Sequence, residues 1–366
     1  MHGVDSEYAK TDAEMAVNVD DVNLAGTHHA RRREWAALSG ALKLKEKPQS
    51  IDRFLGVKFI TQDTSKYKRK LTMVQREYAR QQVARYDEEA AHPAGRRAAP
   101  AAKISMITDE EPGLMARSCR SYVGALMYLS RATRPDITFA TNWLARSVSK
   151  WTRAQDKELE HLIGYLNQTQ ELGLEADVDV RGQDAEMWLE LWVDSDHAGE
   201  PGRRSTTGWI LLLKGERGTC VTIDWASRKQ TTVARSSGEA ETVALHEALA
   251  RVAGVNRGLC AAGIPAMDAI EKLLDKKLKL YVKVDAAVSK AAAEKGMSGQ
   301  MKYISKTQGV DLYWLRDVTQ RLDVCLEKTD TRSNIADILT KPLCGARTVE
   351  LRQKINVNGH AGGEPS

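Results

Sequence analysis

Four acidic residues stand where an apolar run gives out or a helix begins. Asp194 ends the strand read over residues 187–193, and Asp285 ends the strand read over 278–284. Glu239 opens the Ala-rich helix read over 239–255, and Asp337 lies in a short helix read over 334–340. Strand ends and the starts of the following helices meet on one edge of an α/β sheet, so the four can converge in one pocket. Four carboxylates held together cannot all stay ionised without cations. Hard divalent ions with oxygen ligands, Mg²⁺ or Mn²⁺, resolve the conflict. Two such ions about 3.5–4 Å apart clamp an in-line phosphoryl displacement, one lowering the pKa of the attacking water and the other stabilising the leaving 3′ oxygen. Asp194, Glu239, Asp285 and Asp337 are therefore expected both as catalytic residues and as metal ligands.

Two of these acids have a competitor two residues on. Asp196 shares a strand face with Asp194, whereas Glu241 on a helix points well away from Glu239. Asp194 and Glu239 are the pair taken here. His197 and His246 lie nearby and are read as surface or supporting residues rather than ligands.

The elements that must position these acids follow from short apolar runs after residue 186. Strands over 208–214 and 221–226 flank Gly215-Glu216-Arg217-Gly218 and read as a hairpin. A helix over 286–295 and a strand over 321–327 complete the order β-β-β-α-β-α-β-α. Three hairpin-connected strands followed by alternating helix and strand predict a mixed sheet of the α/β class with helices on its faces. Upstream, residues 51–60 read as a strand and 71–86 as a helix. Residues 87–103, rich in Ala, Pro and charge, read as a linker. Helices are expected over 121–129, over 136–149 after Pro135, and over 154–168, with an extended stretch over 172–180.

At 366 residues the chain has room for two or three domains, and 42% hydrophobic residues give it a core. No window approaches the roughly 18 apolar residues of a membrane span, and the N-terminus has no apolar h-region, so an intracellular protein with no membrane partner is expected. Five cysteines without a CxxC pair argue against a disulfide framework or a cysteine zinc site, and read as small core residues. The net charge of +5 is mild, but it is unevenly spread. Residues 64–86 carry Lys66, Lys68, Arg69, Lys70, Arg76, Arg80 and Arg85 against Glu77 alone, interleaved with Tyr67, Tyr78 and Tyr86. That is the composition either of a phosphate-tracking surface with stacking rings or of a solvated helix face. Residues 27–50 hold a second basic run, with Arg31, Arg32, Arg33, Lys43, Lys45 and Lys47.

VDSDHAGEPGRRSTTGW (193–209), IDWASRKQTTVARSSGEAE (223–241), YVKVDAAVS (281–289) and NIADILTKPL (334–343) together resemble the ribonuclease H domain of copia-type LTR retrotransposon Pol polyproteins. RSYVGALMYLSRATRPDITFATNWLARSVS (120–149) resembles the segment joining reverse transcriptase to ribonuclease H in that family, FLGVKFI (54–60) its FLG block, and VNVDDVNLAG (17–26) its polymerase YVDD hairpin. The resemblance implies a ribonuclease H-like mixed sheet preceded by a truncated α+β reverse transcriptase remnant and a helical connection. Its expected divisions are a palm and thumb remnant over 1–86, a linker over 87–117, the connection over 118–182, the ribonuclease H-like domain over 183–343 and a C-terminal tail over 344–366.

The implied activity is two-metal hydrolysis of the RNA strand of RNA–DNA hybrids. Hybrids are gripped by phosphates and 2′-hydroxyls, so Arg203, Arg204, Arg228, Lys229, Ser236 and Ser237 are the expected nucleic-acid contacts. Other retrotransposon Pol segments are expected partners, with the cytoplasm and then the nucleus as location. The chain departs from the family pattern at Asn18 for Tyr, at Ala286 for Asn after the third aspartate, and at Lys302-Tyr303-Ile304 for KHI. It has no histidine between Glu247 and Gly359 to serve as a proton shuttle. Asp20 and Asp21 lack the third polymerase aspartate and read as a vestigial box. Two other readings stand beside the nuclease. One is a degenerate copy that only binds nucleic acid or polymerase partners; the other is part of an RNA-directed DNA polymerase.

Overall fold

The computed structural model describes residues 13–18, 21–26, 28–41, 48–102, 111–181, 185–197, 204–253, 265–321 and 323–359. Strands β1 (Ala13–Asn18) and β2 (Asp21–Gly26) form a separate antiparallel hairpin with Asn18 opposite Asp21, followed by helix α1 (His28–Ala41). Asp20 lies outside the described residues, as do Lys43, Lys45 and Lys47.

Strands β3 (Arg53–Phe54), β4 (Val57–Ser65) and β5 (Lys68–Val74) precede helix α2 (Arg76–Ala90). This corrects two expectations. The strand over 51–60 is broken at Leu55 and Gly56, whose positive φ angles of 49° and 70° make a turn. Residues 71–74, read as the start of a helix, continue β5. They pair on one side with β4, Phe59 opposite Met73, and on the other with a later strand, and Thr72 and Val74 alternate into the core.

Helices α3 (Cys119–Ala132), α4 (Thr138–Ala145) and α5 (Arg153–Gln168) pack with α2 into a helical layer around Tyr122, Leu126, Ile137, Leu159 and Ile163. Pro135 opens a short 3₁₀ turn before α4, as its fixed φ favours. Thr152 and Gln155 close a capping box at the start of α5. Buried Arg134 forks onto Asp136 at 2.8–2.9 Å, and the Tyr165 hydroxyl donates to the same carboxylate at 2.8 Å. Much of the expected linker packs on this layer. Ala94 and Ala99 are buried, the Asn167 amide donates to Ala94 O, and a side chain at Gly164 would meet Gly95 O at 2.0 Å. Residues 103–110 of it lie outside the described residues.

Strand β6 (Leu172–Asp179) joins this layer to the rest. β7 (Met187–Asp196), β8 (Thr206–Gly215) and β9 (Cys220–Lys229) are antiparallel neighbours, followed by α6 (Ser237–Val252) and α7 (Ala266–Leu274). Then come β10 (Lys279–Val284), α8 (Ala287–Lys295), α9 (Ile304–Gln308), α10 (Leu312–Thr319), β11 (Val324–Lys328), α11 (Gly345–Lys354) and β12 (Val357–Gly359). All strands after the first hairpin share one ten-stranded sheet, in the order β11-β10-β7-β8-β9-β6-β5-β4-β3 with β12 beside β6. β10 runs parallel to both β7 and β11, so the mixed α/β sheet is as the element order predicted.

Both faces of this sheet's central part are covered. Leu211 and Leu213 of β8 pack under α6 with Ala244 and Leu249, while Ile210 and Leu212 pack on the opposite face with Leu339, Leu351 and Val357. The last group corrects the expected C-terminal tail: through Gly359 the chain is an integral layer, because Leu351, Ile355 and Val357 cover apolar surface that β8 would otherwise expose. Among the described residues no helix is long and apolar enough to cross a membrane.

Candidate metal centre

β7 and β10 are parallel, with Lys283 level with Trp192. Carried two residues further, this register sets Asp285 level with Asp194, so both carboxylates leave the same edge of the sheet. Helix α6 crosses that edge and contributes the third acid. Asp194, Glu241 and Asp285 each place one carboxylate oxygen within 4.8 Å of the others. The expected Glu239 is not in this group. Its Oε2 accepts the Arg235 N–H at 2.9 Å and its Oε1 accepts from the Gln308 amide at 3.2 Å, so it ties the start of α6 to the preceding loop and to α9. The rotational phase of the helix separates the two. Three, four and seven residues after Glu241 stand Ala244, Leu245 and Ala248, all fully buried against the sheet, so Glu241 shares the sheet-facing stripe. That stripe is visible in the sequence and is the signal that identifies it.

Asp337 reaches the same edge from a 3₁₀ turn, Ile335–Leu339, on the far side of β7 and β8. The buried Asn334 side chain anchors this turn, donating to Val193 O at 2.9 Å and accepting the Ala336 N–H at 3.1 Å. Gly208, opposite Asp194 on β8, lets the turn approach: a Cβ there would meet Thr340 Cγ2 at 2.5 Å and Leu339 Cβ at 2.9 Å. The Thr340 hydroxyl consequently donates to Asp194 Oδ2. Lys341, one residue on, sets its ammonium 2.7 Å from Asp337 Oδ1 and 3.5 Å from Asp194 Oδ2. Arg347 Nη2 stands 3.4 Å from Asp337 Oδ2. Thr340, Lys341 and Arg347 were not singled out in the sequence, because their roles depend on how closely this turn packs on β8.

The electrostatics are those of carboxylates short of positive charge. Burial pushes the Asp194 carboxyl up to about 6, with Lys341 opposing and Asp337 adding to the rise. Burial also pushes Glu241 up to about 9, with the charges of Asp194 and Asp285 adding to it and the Ser195 N–H, donating at 3.2 Å, opposing. An all-oxygen donor set of this kind fits a hard divalent cation, which would relieve the mutual repulsion. Beside Asp337 an open cleft of about 520 Å³ is lined by Thr331, Arg332, Arg347 and Glu350.

The remaining expected residues fall as follows. Arg203 lies outside the described residues, and Arg204 is exposed just before β8. Arg228 and Lys229 lie on β9 opposite Thr207 and Thr206, and the Arg228 charge opposes the upward push that burial gives Glu247. Ser236 caps α6, its hydroxyl accepting the Glu239 N–H at 3.2 Å, and exposed Ser237 begins the helix. His197 approaches Ser205 at 3.5 Å, and His246 stacks edge-on against Trp314, so neither joins the acids.

The basic run at residues 64–86 is mostly engaged within the chain. Arg69 pairs with Asp63, Lys70 with Glu175, Arg76 and Arg80 with Glu171, and Arg85 lies over the Tyr122 ring. Of its three tyrosines only Tyr67 is exposed. Of the two readings of this run, the phosphate-tracking surface is thereby partly neutralised, since Arg69, Lys70, Arg76 and Arg80 are paired with acids. Of the described cysteines, only Cys119 is buried, and Cys325 and Cys344 are exposed, which corrects their reading as core residues.

No protein-family profile matches the chain. Relatives do. The retrovirus-related Pol polyprotein from transposon TNT 1-94 of Nicotiana tabacum is 28% identical over 297 residues, 79% of this chain and 20% of that protein. The transposon RE1 Pol polyprotein of Arabidopsis thaliana is 26% identical over 94% of this chain and 21% of its own length. A protein named secreted RxLR effector protein 161, from Plasmopara viticola, is 41% identical over 129 residues, 35% of this chain and 84% of that one. Among solved structures, ribonuclease H1 of Halobacterium salinarum NRC-1 aligns over 42% of this chain and 93% of its own, at 14% identity and a TM-score of 0.28. A foamy viral protease-reverse transcriptase in complex with RNA/DNA hybrid aligns over 87% of this chain and 36% of its own, at 12% identity and a TM-score of 0.42. At such scores the structural likeness adds nothing to the strand order already described. The chain spans about a fifth of the length of the Pol polyproteins it matches. Over up to 94% of its length the chain is similar to the retrovirus-related Pol polyproteins of transposons.

Proposed function

We propose that the chain is a divalent-metal-dependent endonuclease of ribonuclease H type that hydrolyses the RNA strand of RNA–DNA hybrids. The convergence of Asp194, Glu241 and Asp285 within 4.8 Å at one sheet edge carries the reading. These three would hold one Mg²⁺ or Mn²⁺, and Asp194 with Asp337 would hold a second. The bound ions would supply Lewis acidity at the scissile phosphate and a more acidic attacking water. The protein holds the acids in place: the Ser195 N–H fixes Glu241, and the Thr340 hydroxyl fixes Asp194. Arg332 and Arg347, lining the cleft beside Asp337, offer guanidinium groups to backbone phosphates. Arg204, Arg228 and Lys229 would extend that contact along the strand ends.

The test is incubation of the purified chain with a hybrid labelled on its RNA strand, with Mg²⁺ or Mn²⁺, beside a chelator control and Asp194→Asn. RNA cleavage that disappears in both controls supports the reading. An intact RNA strand, with salt-dependent hybrid binding retained, would mean a nucleic-acid-binding remnant instead.

A further inference from the structure

The ammonium of Lys341 lies where a cation is needed most. It is 2.7 Å from Asp337 Oδ1 and 3.5 Å from Asp194 Oδ2, bridging Asp194 of the triad Asp194, Glu241 and Asp285 to Asp337, the acid that the triad leaves over. Its placement is built into the fold rather than reached by a wandering side chain. Lys341 follows the 3₁₀ turn that Asn334 anchors, its N–H donates to Asp337 O at 3.3 Å, and its side chain is only 32% exposed. Asp196 adds a third negative charge facing it. An ammonium and a divalent ion cannot share the space between two carboxylates, because like charges a few ångströms apart repel strongly in a part-buried site.

We propose that Lys341 is a built-in cation that occupies the Asp194–Asp337 side of the centre, so that divalent ions load in order: first at Asp194, Glu241 and Asp285, then, only after the ammonium swings away, between Asp194 and Asp337. This rests on the metal-centre reading above. Lys341 is thus a positioning residue that sets metal stoichiometry. The lysine side chain can leave without disturbing the core, since its stem is long and a third of it already meets solvent.

The experiment counts bound Mn²⁺ on the full chain by electron paramagnetic resonance of the free ion, for the wild type, Lys341→Met, Lys341→Arg and Glu241→Gln. The wild type is expected to bind one ion, with a second at least about tenfold weaker. In Lys341→Met the second ion is expected to bind at least about tenfold more tightly than in the wild type, a shift of about 1.4 kcal/mol, with the first ion little changed. Lys341→Arg keeps the charge and should behave as the wild type. Two ions of equal affinity in the wild type, or a Lys341→Met isotherm identical to it, would overturn the proposal. Should Lys341→Met lose its cooperative melt, the wild type and Lys341→Arg still decide, since two equal sites in either overturn it. Mn²⁺ binding that is absent from the wild type, or that survives Glu241→Gln, strikes the metal centre itself and is told apart from a failure confined to Lys341.

Discussion

Glu241 and Glu239 stand two residues apart on one helix and face different neighbours: Glu241 Oε1 accepts the Ser195 N–H at the acid cluster, and Glu239 Oε2 accepts the Arg235 N–H behind the helix start. Replacing each by glutamine separates the roles. Glu239→Gln is expected to cost about 1 kcal/mol of stability through weakened hydrogen bonds at the helix start and to leave Mn²⁺ binding intact. Glu241→Gln should leave the melting temperature equal or raised, since it removes a buried carboxyl among like charges, and should abolish tight Mn²⁺ binding. Thermal melts with and without Mn²⁺ check both.

The raised acids give the metal site a pH dependence of definite sign. Without metal, Asp194 titrates at about 6 and Glu241 at about 9, above their ordinary 3.8 and 4.5. Their contribution to stability is therefore fully present below about pH 4 and is lost as pH rises through those values. Metal binding requires the carboxylate forms, so Mn²⁺ affinity should rise from pH 6 to pH 9, with about one proton released per first ion at pH 7.5. Isothermal titration in two buffers of different ionisation enthalpy measures the release, and a value of zero would contradict the site's electrostatics.

A second titration lies in the helical layer. Burial pushes Glu158 up to about 7 against the Trp143 indole N–H, which donates to it at 2.6 Å. The folded state holds this proton more tightly than the unfolded one, so stability falls between about pH 4.5 and pH 7. The loss is on the order of 1–2 kcal/mol once partial exposure is allowed for. Glu158→Gln should flatten that part of the stability-against-pH curve, and an unchanged slope would refute the assignment.

Gly208 and Leu351 test the packing behind the centre. Gly208→Ala would drive a methyl into Thr340 and Leu339, costing about 1–3 kcal/mol and loosening the hold of Thr340 on Asp194. Leu351→Ala, far from the acids but fully buried, should cost about 2–5 kcal/mol if the last described helix belongs to the core. Urea denaturation reads both; a Leu351→Ala cost below about 0.5 kcal/mol would return that segment to the status of a tail.

The sheet was legible because β7, β8 and β10 are apolar runs bounded by turn residues, and their order alone limits the topology. That Asp194 and Asp285 share one sheet edge was legible from their places at strand ends, whereas Asp337, read in a short helix, stands in a 3₁₀ turn. Glu241 was not legible, because choosing between two glutamates on a helix requires its rotational phase, although Ala244, Leu245 and Ala248 carry that phase. β5 was missed because Leu71, Val74 and Tyr78 mimic a helical stripe across a strand–helix junction, and only the flanking strands decide. Lys341 was out of reach, since nothing in a lysine's local sequence says that a 3₁₀ turn will aim it between two carboxylates.

The most direct measurement of the central claim is the rate of RNA-strand cleavage of an RNA–DNA hybrid, with Mn²⁺, by the wild type, Glu241→Gln and Glu239→Gln in parallel. The structure predicts cleavage by the wild type and by Glu239→Gln, and a loss of at least about 100-fold in Glu241→Gln. Cleavage by Glu241→Gln at the wild-type rate, or its selective loss in folded Glu239→Gln, would contradict a metal centre built on Asp194, Glu241 and Asp285.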